Sequence, residues 1–149
     1  MQTQLNGIIV QSGVIPCRVR RGRLEIALVT ASSGPHWTIP KGHIEPDLSP
    51  QESAAKESFE EAGLVGAVHP RSVCTYTYEK RGALRQVRVY MMLVNQQLRE
   101  WPERGRRQRR WMGAAEASLS VRSDQLRQCI LRLDRWFAEQ RAPMTLAAA

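Results

Sequence analysis

The feature that most constrains this chain is the stretch 49–64, because both ends of one helix are written into it. Ser49 can cap the first turn, Pro50 suits the first helical position, and Glu52 stands where its carboxylate can return a hydrogen bond to the cap. Gly63 offers the left-handed conformation that closes helices, and Leu64 can pack back over the last turn, so the helix is expected to end at Ala62. A helix of this length in mid-chain has to cover a surface, and the flanking segments supply one.

Residues 13–19 and 24–30 read as two strands joined by the short basic turn Arg20-Arg21-Gly22-Arg23. Trp37-Thr38-Ile39 is a brief apolar stretch ended by Pro40 and Gly42. Residues 73–78 and 87–94, rich in β-branched and aromatic side chains, form a second strand-turn-strand unit around Lys80-Arg81-Gly82. Leu126, Ile130, Leu133 and Phe137 recur at helical spacing behind the possible caps Ser123 and Asp124, and Ala147-Ala148-Ala149 reads as a frayed end. The expected architecture is α/β: one domain over residues 1–149, a mixed sheet with helices on both faces.

The 22 Lys and Arg against 14 Asp and Glu leave a net charge of +8, which favours small polyanionic, phosphate-bearing partners. No zinc-finger or helix-turn-helix pattern marks nucleic acid as the main partner, and no apolar run of membrane-spanning length occurs. A cytoplasmic location is expected, and the oligomeric state stays open. Cys17, Cys74 and Cys129 are far apart and make no C-x-x-C pair, so free buried thiols are expected.

On the helix, Glu57, Glu60 and Glu61 fall within an arc of roughly 100°, with Ala55, Phe59 and Ala62 assigned to the opposite, packing side. Carboxylates so close repel one another, and hard oxygen donors at helical spacing suit Mg²⁺ or Mn²⁺. An isolated E-x-x-E-E is also what a solvated acidic face looks like.

Its surroundings separate the two readings. Residues 42–64 resemble the signature of the Nudix hydrolases, G-x5-E-x7-R-E-U-x-E-E-x-G-U with U a bulky aliphatic residue. Gly42, Glu57, Glu60, Glu61, Gly63 and Leu64 match without a gap, while Leu48, Lys56 and Ser58 stand where that family has glutamate, arginine and an aliphatic residue. The resemblance implies a Nudix-type α/β/α sandwich and a metal-dependent pyrophosphohydrolase. In it Glu57, Glu60 and Glu61 hold Mg²⁺ or Mn²⁺ and carry catalysis, a backbone carbonyl at Lys41 or Gly42 is a further metal ligand, and a metal-activated water attacks phosphorus. The base is one of these glutamates or one from outside the box. Glu45 is a candidate to replace the polar role lost at Leu48.

Outside the box, Glu25-Ile26-Ala27-Leu28-Val29-Thr30, Trp101-Pro102-Glu103 and Arg109-Arg110-Trp111 resemble the branch that hydrolyses diadenosine polyphosphates and diphosphoinositol polyphosphates. That resemblance points to Arg18, Lys41 and Arg109 as substrate contacts. Arg18, Arg20, Arg21 and Lys41 form one expected cationic cluster, and Arg104, Arg106, Arg107, Arg109 and Arg110 the other, with Arg109 alone set apart from a solvated loop. His43 and Trp37, Trp101 and Trp111 are weaker candidates, the tryptophans being read first as packing residues. The alternatives are a Nudix-fold module that binds a nucleotide or inositol phosphate with little turnover, or an RNA 5′-end pyrophosphohydrolase.

Overall fold

The computed structural model describes residues 3–5 and 7–148, with side chains over residues 7–141. In chain order the elements are β1 (Thr3–Leu5), β2 (Ile8–Arg20), β3 (Arg23–Thr30), β4 (Trp37–Thr38), β5 (Lys41–His43), α1 (Pro50–Ala62), β6 (Leu64–Val68), β7 (Cys74–Lys80), β8 (Ala83–Gln97), β9 (Arg109–Gly113), α2 (Ala114–Ser120) and α3 (Asp124–Ala148). The sheet is mixed. Its spine runs β4-β3-β2-β8-β6, where β2 and β8 are parallel neighbours and the other pairings are antiparallel. Both expected hairpins form, at β2–β3 and β7–β8.

The long strand β2 is buried on both faces, so it separates two apolar layers. On one side Val14, Ala27, Val29, Tyr90 and Met92 pack beneath Ala54 and Ala62 of α1. On the other, Ile15, Ile26, Leu28, Val87 and Val89 lie under Leu126, Cys129, Ile130 and Leu133 of α3, with Phe137 at the margin. The result is the α/β/α sandwich, in which α3 presents the apolar stripe that its spacing dictates. Among the described residues no helix is long and apolar enough to cross a membrane.

Five elements escape local reading, among them β1 and β5, which are held as strands by pairing with β2. β6 is entered directly from the glycine that ends α1, and β9 begins at Arg109, the arginine set apart from the solvated run. Pairing of β9 with β3 over Glu25↔Gly113 to Val29↔Arg109 outweighs its weak intrinsic preference. The short α2 has no side-chain cap to announce it. At the far end α3 extends to Ala148 where a frayed end was expected, and Ala149 lies outside the described residues.

The cysteines require a correction. Cys74 and Cys129 are joined by a disulfide that bridges β7 and α3, and only Cys17 is a free buried thiol. Separation along the chain concealed the pair: the two residues are 55 apart in sequence, yet packing of α3 on β7 brings their Cα atoms to 5.8 Å. Gln125 and Thr77 hydrogen-bond across the same seam, the Thr77 N–H donating to Gln125 Oε1 at 3.0 Å. Closing a loop of that length constrains the unfolded chain, so reduction or Cys74→Ser should lower the unfolding free energy by about 2–4 kcal/mol. Denaturant titrations with and without a dithiol check this; a midpoint indifferent to reductant contradicts the bridge.

Candidate functional site

Helix α1 is held at both ends. At its start the Glu52 N–H donates to Ser49 Oγ at 3.1 Å and the Ser49 N–H donates to Glu52 Oε1 at 2.9 Å, completing the reciprocal box. At its end Gly63 adopts φ +63° and its N–H donates to the Phe59 carbonyl at 3.0 Å. A Cβ on Gly63 would also stand 2.8 Å from the Trp101 ring, so the position excludes larger residues twice over.

The last helical carbonyls have no partners within the helix and need them from elsewhere. Residues 98–109 supply four. Glu103 N–H reaches the Glu60 carbonyl at 2.9 Å, Trp101 Nε1 the Glu61 carbonyl at 3.1 Å, Arg109 Nη1 the Ala62 carbonyl at 2.7 Å, and Leu98 N–H the Gly63 carbonyl at 2.8 Å. The last turn of α1 contains no basic residue, and Arg109 places a cation at its negative end from another strand while lying over the Trp101 ring at 4.3 Å.

The acidic side of α1 is not the solvated face that the helical arc implied. Glu61 is only 3% exposed, and Ser53, Ala54, Ser58 and Ala62 accompany it against the sheet, whereas Phe59, expected to pack, is 41% exposed. Ser58 explains part of this rotation: fully buried, it donates from Oγ to the Leu64 carbonyl at 2.9 Å, a small polar contact where an aliphatic side chain would need room.

A buried carboxylate needs compensation. Arg107 Nη2 lies 3.5 Å from Glu61 Oε2, and the Lys41 backbone N–H also bonds to Glu61. Burial nevertheless pushes Glu61 up to about 7, against the opposing pull of Arg107 and Lys41. Glu57 is pushed up to about 8 by burial and by the neighbouring charges of Glu61, Glu60 and Glu103. Glu60, more exposed, lies 3.4 Å from Lys56 Nζ. A Cβ on Gly42 would overlap the Glu57 carboxylate, so any larger residue there must push that carboxylate out of its position.

Leu48 and Lys56 belong to one rearrangement. Lys56 Nζ donates to Glu45 Oε1 at 3.0 Å, the Glu45 N–H donates to Ser53 Oγ at 3.0 Å, and the Leu48 N–H donates to the Glu45 carbonyl at 3.1 Å. Glu45 thus fastens the loop to the helix in the place where Leu48 has no polar group to offer.

Beside Glu61 opens a cleft of about 540 Å³, lined also by Lys41, Arg107, Tyr78, His36 and Arg122. Lys41 Nζ sits 5.1 Å over the Tyr78 ring, and burial pulls its pKa down while Glu61 holds it up. His36 and His43 are both shifted down, chiefly by burial.

The expected site residues separate into groups. Glu57, Glu60, Glu61, Gly42 and Lys41 come together. Arg18 does not line the cleft; it pairs with Glu25 at 2.8 Å and covers the Trp111 ring at 4.0 Å. Arg109 caps α1, and Trp101 packs on Gly63. Glu103 and Arg107, read from sequence as an outer motif and a loop arginine, join the cluster: Arg107 Nε contacts Glu103 Oε1 at 2.7 Å. Their i,i+4 spacing was the signal available.

Among the described residues no three His, Cys, Asp or Glu side chains already converge into a closed metal cage. The donors are hard oxygens, two of them crowded enough to resist ionisation. They fit Mg²⁺ or Mn²⁺, which keep several waters and complete their shell with substrate phosphate.

Comparison with known proteins gives the same family by an independent route. The NUDIX domain model matches residues 10–137. Arabidopsis thaliana Nudix hydrolase 17, mitochondrial, is 36% identical over 100 residues, covering 66% of this chain and 55% of the relative. The Caenorhabditis elegans asymmetrical bis(5′-nucleosyl)-tetraphosphatase is 30% identical over 92 residues, covering 59% of this chain and 67% of the relative. In structure, a C. elegans Ap4A hydrolase superposes with a TM-score of 0.72 at 21% identity, over 87% of this chain and 98% of that one, which speaks to the fold. This chain spans about half the length of the first curated relatives it matches. With a glutamate-bearing helix capped at both ends, a glycine-tight loop against it and the family model running through both, the chain belongs to the Nudix family.

Proposed function

We propose that this protein is a divalent-metal-dependent pyrophosphohydrolase acting on diadenosine polyphosphates or diphosphoinositol polyphosphates. The observation that carries the reading is that Glu61, crowded by Glu57 and Glu60 on the same helix, lines a cleft together with Lys41 and Arg107. Such a site receives an anhydride with its phosphoryl oxygens between a carboxylate-held cation and the fixed ammonium of Lys41, while the Arg107 guanidinium stays engaged with Glu61, Glu103 and the Thr30 carbonyl. Among the candidate substrates, the ring of Tyr78 beside Lys41 favours one that carries a base, in keeping with the tetraphosphatase among the relatives.

In this reading Glu57, Glu60 and Glu61, with the backbone carbonyl of Gly42, hold Mg²⁺ or Mn²⁺, which when bound supplies charge neutralisation and an acidified water. Lys41 meets a phosphate oxygen. Glu103 reaches the same cluster from outside the helix, and one of these glutamates takes the proton of the attacking water as its oxygen bonds to phosphorus, the phosphorus–oxygen anhydride bond breaks and the leaving phosphate departs. Arg109 serves by fixing the turn that bears Glu60 and Glu61, and Arg18 by bracing Trp111. The cytoplasm is proposed as the compartment on the sequence grounds above, although several relatives bear mitochondrial names.

Phosphate release over diadenosine polyphosphates, diphosphoinositol phosphates, nucleoside triphosphates, ADP-ribose and triphosphorylated RNA, each with Mg²⁺ and Mn²⁺, tests the assignment; cleavage of none of them overturns it. Glu60→Gln and Glu61→Gln should each lower turnover by about 10²-fold or more with the fold retained by circular dichroism. Gly42→Ala should impair activity to a similar degree, because the methyl group meets the Glu57 carboxylate.

Protonation yields a further expectation. Glu57 and Glu61 have folded-state pKa values raised from 4.5, to about 8 and about 7. A raised carboxyl binds its proton more tightly when folded, so its contribution to stability is complete below about 4.5 and is lost as pH rises through the folded value. In EDTA, the thermal stability of Glu57→Gln relative to wild type should therefore increase between about pH 4.5 and 8, and added Mg²⁺ should narrow the gap by stabilising wild type. A difference that stays level with pH contradicts the raised carboxyl.

A further inference from the structure

Most arginines of residues 104–110 lie on the surface, but Arg107 is built into the molecule, with 14% of its side chain exposed. Its Nη1 donates to the Thr30 carbonyl at 2.9 Å, and Thr30 and Gln108 exchange hydrogen bonds, the Thr30 N–H to the Gln108 carbonyl at 3.1 Å and the Gln108 N–H to Thr30 Oγ1 at 3.0 Å. The root of the side chain is therefore locked to the end of β3. Its other two nitrogens face carboxylates from two different elements, Nε at 2.7 Å from Glu103 Oε1 and Nη2 at 3.5 Å from Glu61 Oε2. One planar fork spans all three partners, which a single point charge on a flexible stem cannot do.

This geometry makes two opposite demands on a divalent cation held by the cluster. A guanidinium next to carboxylates repels a metal ion and competes for its ligands, so if charge were its whole effect, removing it would tighten metal binding. If the guanidinium instead keeps a carboxylate in place that would otherwise swing into solvent, removing it loosens metal binding. Glu103 is the side chain exposed to this choice. It stands on a turn outside the named helices and strands, its backbone is tied to Glu60, and Arg107 links its carboxylate to that of Glu61.

We propose that Arg107 is a positioning residue: by bridging Glu103, Glu61 and the Thr30 carbonyl it holds Glu103 as a fourth carboxylate of the metal site. The inference rests on the reading of α1 as a metal-binding helix. Arg107 acts through Glu103 and makes no contact of its own with the ion.

Mn²⁺ alone is the probe, its binding followed by the EPR signal of the free ion, on wild type, Arg107→Ala, Glu103→Gln and the double variant. Arg107→Ala should weaken Mn²⁺ binding about tenfold despite removing a positive charge, Glu103→Gln should weaken it comparably, and the double variant should bind no more weakly than Glu103→Gln. Arg107→Lys, which keeps the charge without the fork, should resemble Arg107→Ala, and it carries the comparison should the alanine variant fold poorly. Arg107→Ala binding as tightly as wild type or tighter, lysine restoring wild-type binding, or losses that multiply in the double variant would each overturn the proposal, as would absence of Mn²⁺ binding by wild type. With an anhydride that the protein cleaves, the turnover number should fall while KM stays within about twofold. Coupling in Mn²⁺ binding without hydrolysis sinks only the proposed activity; hydrolysis without the coupling sinks only the role of Arg107.

Discussion

The C-terminal turn of α1 ends in carbonyls that a helix cannot satisfy by itself, and the rest of the site depends on how they are satisfied. An unpaired carbonyl in a buried turn costs on the order of 1–3 kcal/mol, and four adjacent ones would make that end of the helix untenable. From Glu60 to Gly63 they are met in turn by Glu103, Trp101, Arg109 and Leu98. Because the same segment carries Glu103 and Arg107, the capping that stabilises the helix also delivers one more carboxylate and one cation to the cluster. Stability and chemistry share a set of hydrogen bonds, and neither can be altered without the other.

Charge is arranged around that turn in matched layers. Glu61, almost without solvent, faces Arg107 and the Lys41 backbone, while Glu60 at the edge faces Lys56. Glu57 is pushed up to about 8, because burial and the charges of Glu61, Glu60 and Glu103 outweigh the opposing pull of Lys56. The absence of a Cβ at Gly42 leaves that carboxylate its place against the loop. A site whose carboxylates outnumber their internal cations is held in a state that an external cation relieves, which is the electrostatic content of the proposed metal requirement. The +8 charge of the whole chain then lies elsewhere, on the hairpin and loops, where it draws in anionic ligands without quenching the cluster.

The departures from the family signature also become intelligible as a group. Leu48 removes a carboxylate from the loop, Glu45 supplies one three residues earlier, and Lys56 has the reach and the single ammonium that this displaced partner needs. Ser58 surrenders apolar bulk and closes a hydrogen bond to Leu64 instead, which lets α1 lie with Glu61 turned inwards and Phe59 outwards. No one of these positions is explained by itself, since each accommodates a neighbour.

Local chemistry was legible in the sequence. The helix from Pro50 to Ala62 with both caps, the two hairpins, the terminal amphipathic helix and the spacing of Glu57, Glu60 and Glu61 all follow from rules that act within a few residues, so the chain alone determined them. What only the tertiary structure decided acts across long separations: the Cys74–Cys129 bridge, the pairing of β9 with β3, the inward turn of Glu61, the withdrawal of Arg18 from the cleft and the arrival of Glu103 and Arg107. The physical reason is common to all of them. Periodicity tells which side chains share a face of one element, but which face meets which neighbour is set by packing and by unsatisfied polar groups seeking partners, and those partners lie tens of residues away.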